Sequence, residues 1–169
     1  MQFLSPGIVA LVVVFISGIV MAQDSLKSKL LGSWRLTGYV AESPTGDAIY
    51  PLGKDATGYI MYTPDGHMSA TVMQAGRAKF ASADMMAGTP EELANSAMGY
   101  LSYAGTFDTD DANNIVIHHI KTALVPNWVG GDFKRKVILD GNKLELRGLA
   151  PSLVGGEMRL VRVLWERTR

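Results

Sequence analysis

The sequence predicts an all-β protein: an antiparallel up-and-down β-barrel of about eight strands with one short helix. Two observations carry that expectation. Runs of β-branched and aromatic residues recur at short intervals, and each is bounded by turn formers such as Pro64-Asp65-Gly66 or Asp140-Gly141-Asn142. Strands joined this way form a meander, and closing it into a barrel, in preference to a sandwich, removes the exposed edges. A barrel of that size is just wide enough to hold one small ligand.

Composition narrows the class. The 169 residues include 16 basic and 16 acidic side chains, for a formal charge of zero, with no block of like charge. Neither nucleic acid nor an anionic membrane surface is an expected partner. The apolar run from Ile8 to Val20 is shorter than the roughly 20 residues of a membrane span and leads directly into Gln23-Asp24-Ser25. It reads as a secretory signal peptide, residues 1–22 with cleavage after Ala22, leaving 23–169 as one secreted or periplasmic domain. An uncleaved N-terminal anchor is the alternative, because no Lys or Arg precedes the run. Without cysteine the fold must rest on its core, with no disulfide and no lipidated thiol.

Along the mature chain, Leu26 to Leu31 reads as a helical turn plugging one end of the domain. Gly32-Ser33-Trp34 opens the first strand, in which Trp34, Leu36 and Val40 are apolar against Arg35, Thr37 and Tyr39. Glu42 to Thr57 reads as a long rim connection. The runs 58–63 and 67–74 flank Pro64-Asp65-Gly66 and form a hairpin. Thr89-Pro90-Glu91-Glu92 supplies an N-cap, a first-turn proline and a capping-box glutamate, so a short helix follows over about Pro90 to Ala97, as a lid or side cover. Strand material returns at Tyr100 to Asp108. The next strand, Ile115 to Val125, puts Val116, His118, Ile120, Thr122 and Leu124 inward and Ile115, Ile117, His119 and Lys121 outward. Pro126 ends its ladder, and Trp128 folds back as an aromatic flap. In the final hairpin pair, Phe133, Arg135, Val137 and Leu139 form the inward set. Alternation in the last strand, Met158 to Arg167, does not assign Trp165 to a face.

Four stretches, LLGSWRL, YPLGKDATGYIMYTPDGHMSA, GTPEELANSAMGYLSYAGTF and HHIKTALVPNWVGGD, resemble the lipocalin-like domain proteins of bacteria and fungi, over about Leu31 to Arg167. Gly32-x-Trp34 also resembles the opening signature of lipocalins, whose tryptophan packs beneath the barrel floor near an arginine from the final strand, here Arg162 or Arg167. The resemblance implies a calycin-type barrel. Related barrels serve as carriers, isomerases or cyclases, so function has to be argued from the site.

His118 and His119 point to opposite faces and there is no cysteine, so no metal site and no cofactor is expected. An arginine inside a barrel must either pair with a carboxylate or meet an anionic or carbonyl group on a guest. Arg135 and His118 are therefore the candidate anchors. Tyr62, Tyr103, Met73 and Trp128 are the candidate walls, within a chain whose Met61, Met68, Met73, Met85 and Met86 offer adaptable surface. Arg77 is placed at the mouth. The expected function is an exported barrel that binds a small, largely apolar molecule with a polar or acidic head. The alternatives are an isomerase or cyclase using His118 as acid or base, and a barrel filled by its own side chains.

Overall fold

The computed structural model describes residues 25–84 and 86–168; the expected signal peptide and Met85 lie outside them. Helix α1 (Leu26–Leu30) is capped by the Ser25 hydroxyl and buries Leu26 and Leu30. Ten strands follow: β1 (Gly32–Glu42), β2 (Ala48–Ile49), β3 (Thr57–Tyr62), β4 (His67–Met73), β5 (Tyr100–Asp110), β6 (Ile115–Ala123), β7 (Asp132–Asp140), β8 (Lys143–Gly148), β9 (Ser152–Val154) and β10 (Glu157–Arg167). Helix α2 (Pro90–Met98) lies between β4 and β5. No described helix is long and apolar enough to cross a membrane.

Eight strands, β1, β3 to β8 and β10, close an antiparallel barrel through the pairing of β1 with β10, from Trp34 opposite Arg167 to Glu42 opposite Leu160. Closure leaves those strands no free edge. The two extra strands are short: β2 pairs with Ala41 and Glu42, and β9 pairs with the start of β10. The long rim connection thus contains a strand that sequence reading did not show.

Turn chemistry fixes the hairpins. In Thr63-Pro64-Asp65-Gly66 the Gly66 N–H returns to the Thr63 carbonyl at 3.0 Å, with Gly66 at φ 87°. The expected capping box is present on α2, where Thr89 and Glu92 each accept from the other's backbone N–H. That helix has no buried residue, as a side cover requires.

The core occupies the end that α1 plugs. Leu26 and Leu30 meet Trp34, Leu36, Ile60, Tyr62, Phe107, Val116, Val137 and Leu144. Trp34 is fully buried, and its indole N–H donates to the Leu30 carbonyl at 2.8 Å. Arg167, not Arg162, is the arginine at this floor; Arg162 instead bonds Glu42 and Glu145.

Two bulges correct the expected faces. In β1 the register slips at Thr37, so Tyr39 pairs with Val163 and faces the lumen, while Val40 pairs with Arg162 outside. In β6 Lys121 is the extra residue: Ile120 pairs with Gly105, and Thr122 with Ala104. Beyond it Thr122 and Leu124 turn outward and Ala123 turns in. Gly105 is required at this point, since a Cβ there would lie 1.9 Å from the His119 carbonyl oxygen. Such local reversals are what a bulge does to a strand with period two.

Candidate functional site

Above the plugged core the barrel holds a cavity of about 350 Å³. This falls at the lower end of the range of small-molecule sites, roughly 300 to 1,000 Å³. Its walls come from alternate residues of several strands: Tyr39 from β1, Ala70 and Val72 from β4, Leu101 and Tyr103 from β5, Phe133 and Arg135 from β7, Leu146 from β8, and Val161, Val163 and Trp165 from β10. Gly148, Ala150, the β9 residues Ser152, Leu153 and Val154, and the flap residue Trp128 complete it. Lumen-filling side chains therefore do not occupy the whole barrel.

The aromatic wall is built edge to face. Trp128 lies on a 3-10 turn (Pro126–Trp128) after β6, and its ring meets Phe133 at 5.2 Å and Tyr103 at 6.2 Å, both near perpendicular. Tyr103 meets Phe133 at 5.4 Å. Mutual edge-to-face contact fixes the three rings, so this part of the wall is preorganised.

Arg135 is the charged group in the lining. Among the described residues no carboxylate lies within ion-pairing distance of it, and its side chain donates to the Lys134 carbonyl at 3.1 Å. The guanidinium lies 5.0 Å from the centroid of the Phe133 ring. The expected inward parity of β7 holds, while the internal ion pair weighed as an alternative is not formed.

His118 also points inward, but it sits behind the wall. It is fully buried, with Nε2 at 2.8 Å from the Tyr62 hydroxyl and Nδ1 at 3.1 Å from the Tyr103 hydroxyl. Burial, with the nearby Arg135 charge and His119 adding to it, pushes its pKa down to about 3, so the ring is neutral at pH 7. Burial raises Tyr103 to about 12 against an opposing pull from Arg135, and raises Tyr62 well above the ordinary value. Both phenols keep their protons.

The remaining expected residues divide. Tyr103, Trp128 and Arg135 line the cavity. Tyr62 is 2 % exposed and belongs to the floor, packing against Phe107 at 4.8 Å. Met73 ends β4 on the exposed outer parity and is no wall of the cavity. Of the methionine run, Met68 is buried in the core and Met61 and Met86 are exposed. Arg77 does not guard the mouth: it donates to the Ser96 carbonyl and hydroxyl at 2.9 and 3.0 Å at the end of α2 and stacks over Tyr100. Tyr39 and Trp165 were missed. The bulge hid the first, but the second was legible, because Arg162 and Glu166 share one parity and leave Val161, Val163 and Trp165 on the other. His119, outside, bridges Asp132 at 2.7 Å and Asp108 at 3.3 Å and so links β5, β6 and β7. Among the described residues no cluster of three or more His, Asp or Glu is placed to hold a metal.

A closed antiparallel barrel, plugged at one end and hollow at the other, defines the class of calycin-type barrels. Residues 31–168 match the lipocalin-like domain model, and the chain belongs to the lipocalin-like domain family. Among curated proteins it is similar to the 4'-hydroxy-3'-methoxypropiophenone carrier protein ppsC of Aspergillus oryzae (strain ATCC 42149 / RIB 40). The two are 35 % identical over 95 residues, covering 53 % of this chain and 86 % of that protein. A crystal structure of an uncharacterized protein from Bacteroides eggerthii DSM 20697 aligns with 82 % of this chain and 99 % of its own at 13 % identity, with a TM-score of 0.42.

Proposed function

We propose that the protein binds a small, largely apolar molecule, with its polar or acidic oxygen directed at Arg135. The observation that carries this reading is an arginine in the cavity wall with no carboxylate partner among the described residues. Burying part of a guanidinium without a counter-charge is costly, and a guest carbonyl, phenolate or carboxylate would offset that cost. The aliphatic and aromatic remainder of the wall suits an apolar body. The relative named as a carrier of an aryl ketone supports a guest of that kind. The acid or base role for His118 in an isomerase or cyclase is not favoured, because both ring nitrogens are engaged by tyrosines and the ring does not line the cavity. We also read residues 1–22 as a signal peptide, which would place the carrier outside the cytoplasm; protein recovered from its native compartment should begin near Gln23.

The test is a titration of the purified protein with 4'-hydroxy-3'-methoxypropiophenone, followed by quenching of Trp128 and Trp165, which both line the cavity. Arg135→Met keeps much of the side-chain volume and deletes every donor. Affinity should fall by roughly one to two orders of magnitude, the equivalent of about 1.5 to 3 kcal/mol for a charge-assisted hydrogen bond. The melting temperature should hold, since no carboxylate is orphaned. Unchanged affinity, or no binding at millimolar ligand, would refute the reading.

A further inference from the structure

The chain Tyr62–His118–Tyr103 has a direction, and we infer that it runs from the floor toward the cavity: Tyr62 donates to His118, His118 donates to Tyr103, and Tyr103 donates to the guest. His118 is thus a positioning residue that makes the head-group site select an oxygen able to accept hydrogen bonds. The inference rests on the small-molecule reading above and adds to it the polarity of the site.

The argument begins with the buried end. A neutral imidazole has one donor and one acceptor nitrogen, whereas each tyrosine hydroxyl can serve as either. Which nitrogen carries the proton is decided by the surrounding network. Tyr62 is 2 % exposed, and the hydrogen bond of its hydroxyl is the one to His118 Nε2 at 2.8 Å. If Nε2 carried the proton, the Tyr62 hydroxyl would accept it, and its own hydrogen would be left without an acceptor in a buried site. Proteins seldom leave such a group unpaired. With Nε2 as acceptor, Tyr62 is satisfied, and the imidazole proton falls to Nδ1.

The other end then follows. Nδ1–H lies 3.1 Å from the Tyr103 hydroxyl, which accepts it. The hydrogen of Tyr103 is released from the chain at a residue that lines the cavity. The Arg135 guanidinium, which can only donate, shares that lining, together with the Tyr39 and Ser152 hydroxyls, which can donate or accept. Among the described residues no aspartate or glutamate lines the cavity. A ketone, ester, phenolate or carboxylate suits such a set, whereas an ammonium group would be repelled by the Arg135 charge. The low proton affinity of His118 keeps this polarity intact at neutral pH, since a doubly protonated ring could no longer accept from Tyr62.

Two measurements test this. The first is the imidazole tautomer at pH 7, read from the 15N shifts of His118 in the labelled full-length protein by long-range proton–nitrogen correlation. The Nδ1–H form is expected; the Nε2–H form would overturn the inference while leaving ligand binding untouched. The second compares propiophenone with propylbenzene, which has the same skeleton without the oxygen, by calorimetry on the wild type and on Tyr103→Phe. The variant should weaken propiophenone about three- to tenfold, the range for one lost neutral hydrogen bond, and leave propylbenzene unchanged. Equal losses for both probes, or none for either, would overturn the donor role of Tyr103. Failure of the wild type to bind either probe would remove the proposed function and this inference with it.

Discussion

The Arg167 guanidinium lies 4.0 Å from the centroid of the Trp34 indole and donates to the Leu31 and Lys29 carbonyls at 2.7 and 2.6 Å. The end of β10 is thereby tied both to the start of β1 and to the last turn of α1, where helix carbonyls lack intrahelical partners. The Trp34 N–H reaches back to Leu30, so the plug, the floor and the closing strand share one set of contacts.

Trp34→Ala should cost about 3 to 5 kcal/mol, the range for large aromatic truncations in cores. Arg167→Met should cost about 1.5 to 3 kcal/mol, because the indole stays buried while two charge-assisted bonds are lost. Urea denaturation of both variants measures this. A loss below about 1 kcal/mol for Trp34→Ala would show that the floor is not a keystone of the fold.

A second contrast lies on the outer wall. Arg162 joins Glu42 at 2.6 Å and grips Glu145 with two nitrogens at 2.8 and 3.1 Å, and Glu145 also meets Arg147 at 2.7 Å. The Glu145 side chain is 12 % exposed, whereas the isolated pair Arg35–Glu166 is 55 % and 46 % exposed. Arg162→Met should therefore cost about 1 to 2 kcal/mol, and Arg35→Met less than about 0.5. Equal small losses in thermal melts at physiological salt would show that the network adds nothing beyond single surface pairs.

Much of this architecture was legible because its signals are local. Turn chemistry marked the hairpins, the capping box marked α2, and period-two patterning placed Arg135 in the lumen. The bulges were not legible, since their cause is pairing between distant strands. Nothing around Thr37 or Lys121 in sequence states that a partner strand will skip a residue there. Arg77 was misplaced for a similar reason: its partner, the C-terminal end of α2, lies 19 positions away and is met only in the fold. His118 was assigned the correct face but the wrong layer, because strand parity gives a direction and not a depth.

Gly105 tests the bulge directly. A Cβ at this position would meet the His119 carbonyl oxygen at 1.9 Å and the Lys121 nitrogen at 3.0 Å, and both are backbone atoms that cannot rotate away. Gly105→Ala should destabilise by more than about 3 kcal/mol, beyond the usual range of point substitutions. Gly46→Ala, in a turn where no atom lies within 4 Å of the added Cβ, is the control and should lose only the cost of its φ of 94°. Similar losses from the two, measured by urea denaturation, would show that the close approach does not constrain the barrel.

The pH dependence of stability isolates His118. Burial lowers its pKa from the ordinary 6.5 to about 3 in the folded protein. As pH falls below 6.5 the unfolded chain takes up a proton that the folded ring refuses, so the unfolded state binds more protons and stability falls with pH. The contribution is fully present above pH 6.5 and is lost progressively down to about 3, at roughly 1.4 kcal/mol per pH unit. Glu145 acts in the same direction but lower, because bonding to Arg162, more than any other cause, holds its carboxyl near about 2 against an ordinary 4.5. Between pH 6.5 and 4.5, then, His118 should account for a loss of about 2 to 3 kcal/mol in urea denaturation. His118→Gln, which cannot take up that proton, should be less stable than wild type at pH 7 but should lose correspondingly less on acidification. Parallel losses for wild type and variant across that window would mean that the folded ring admits a proton near its ordinary pKa, and the sealed Tyr62–His118–Tyr103 chain would have to be abandoned.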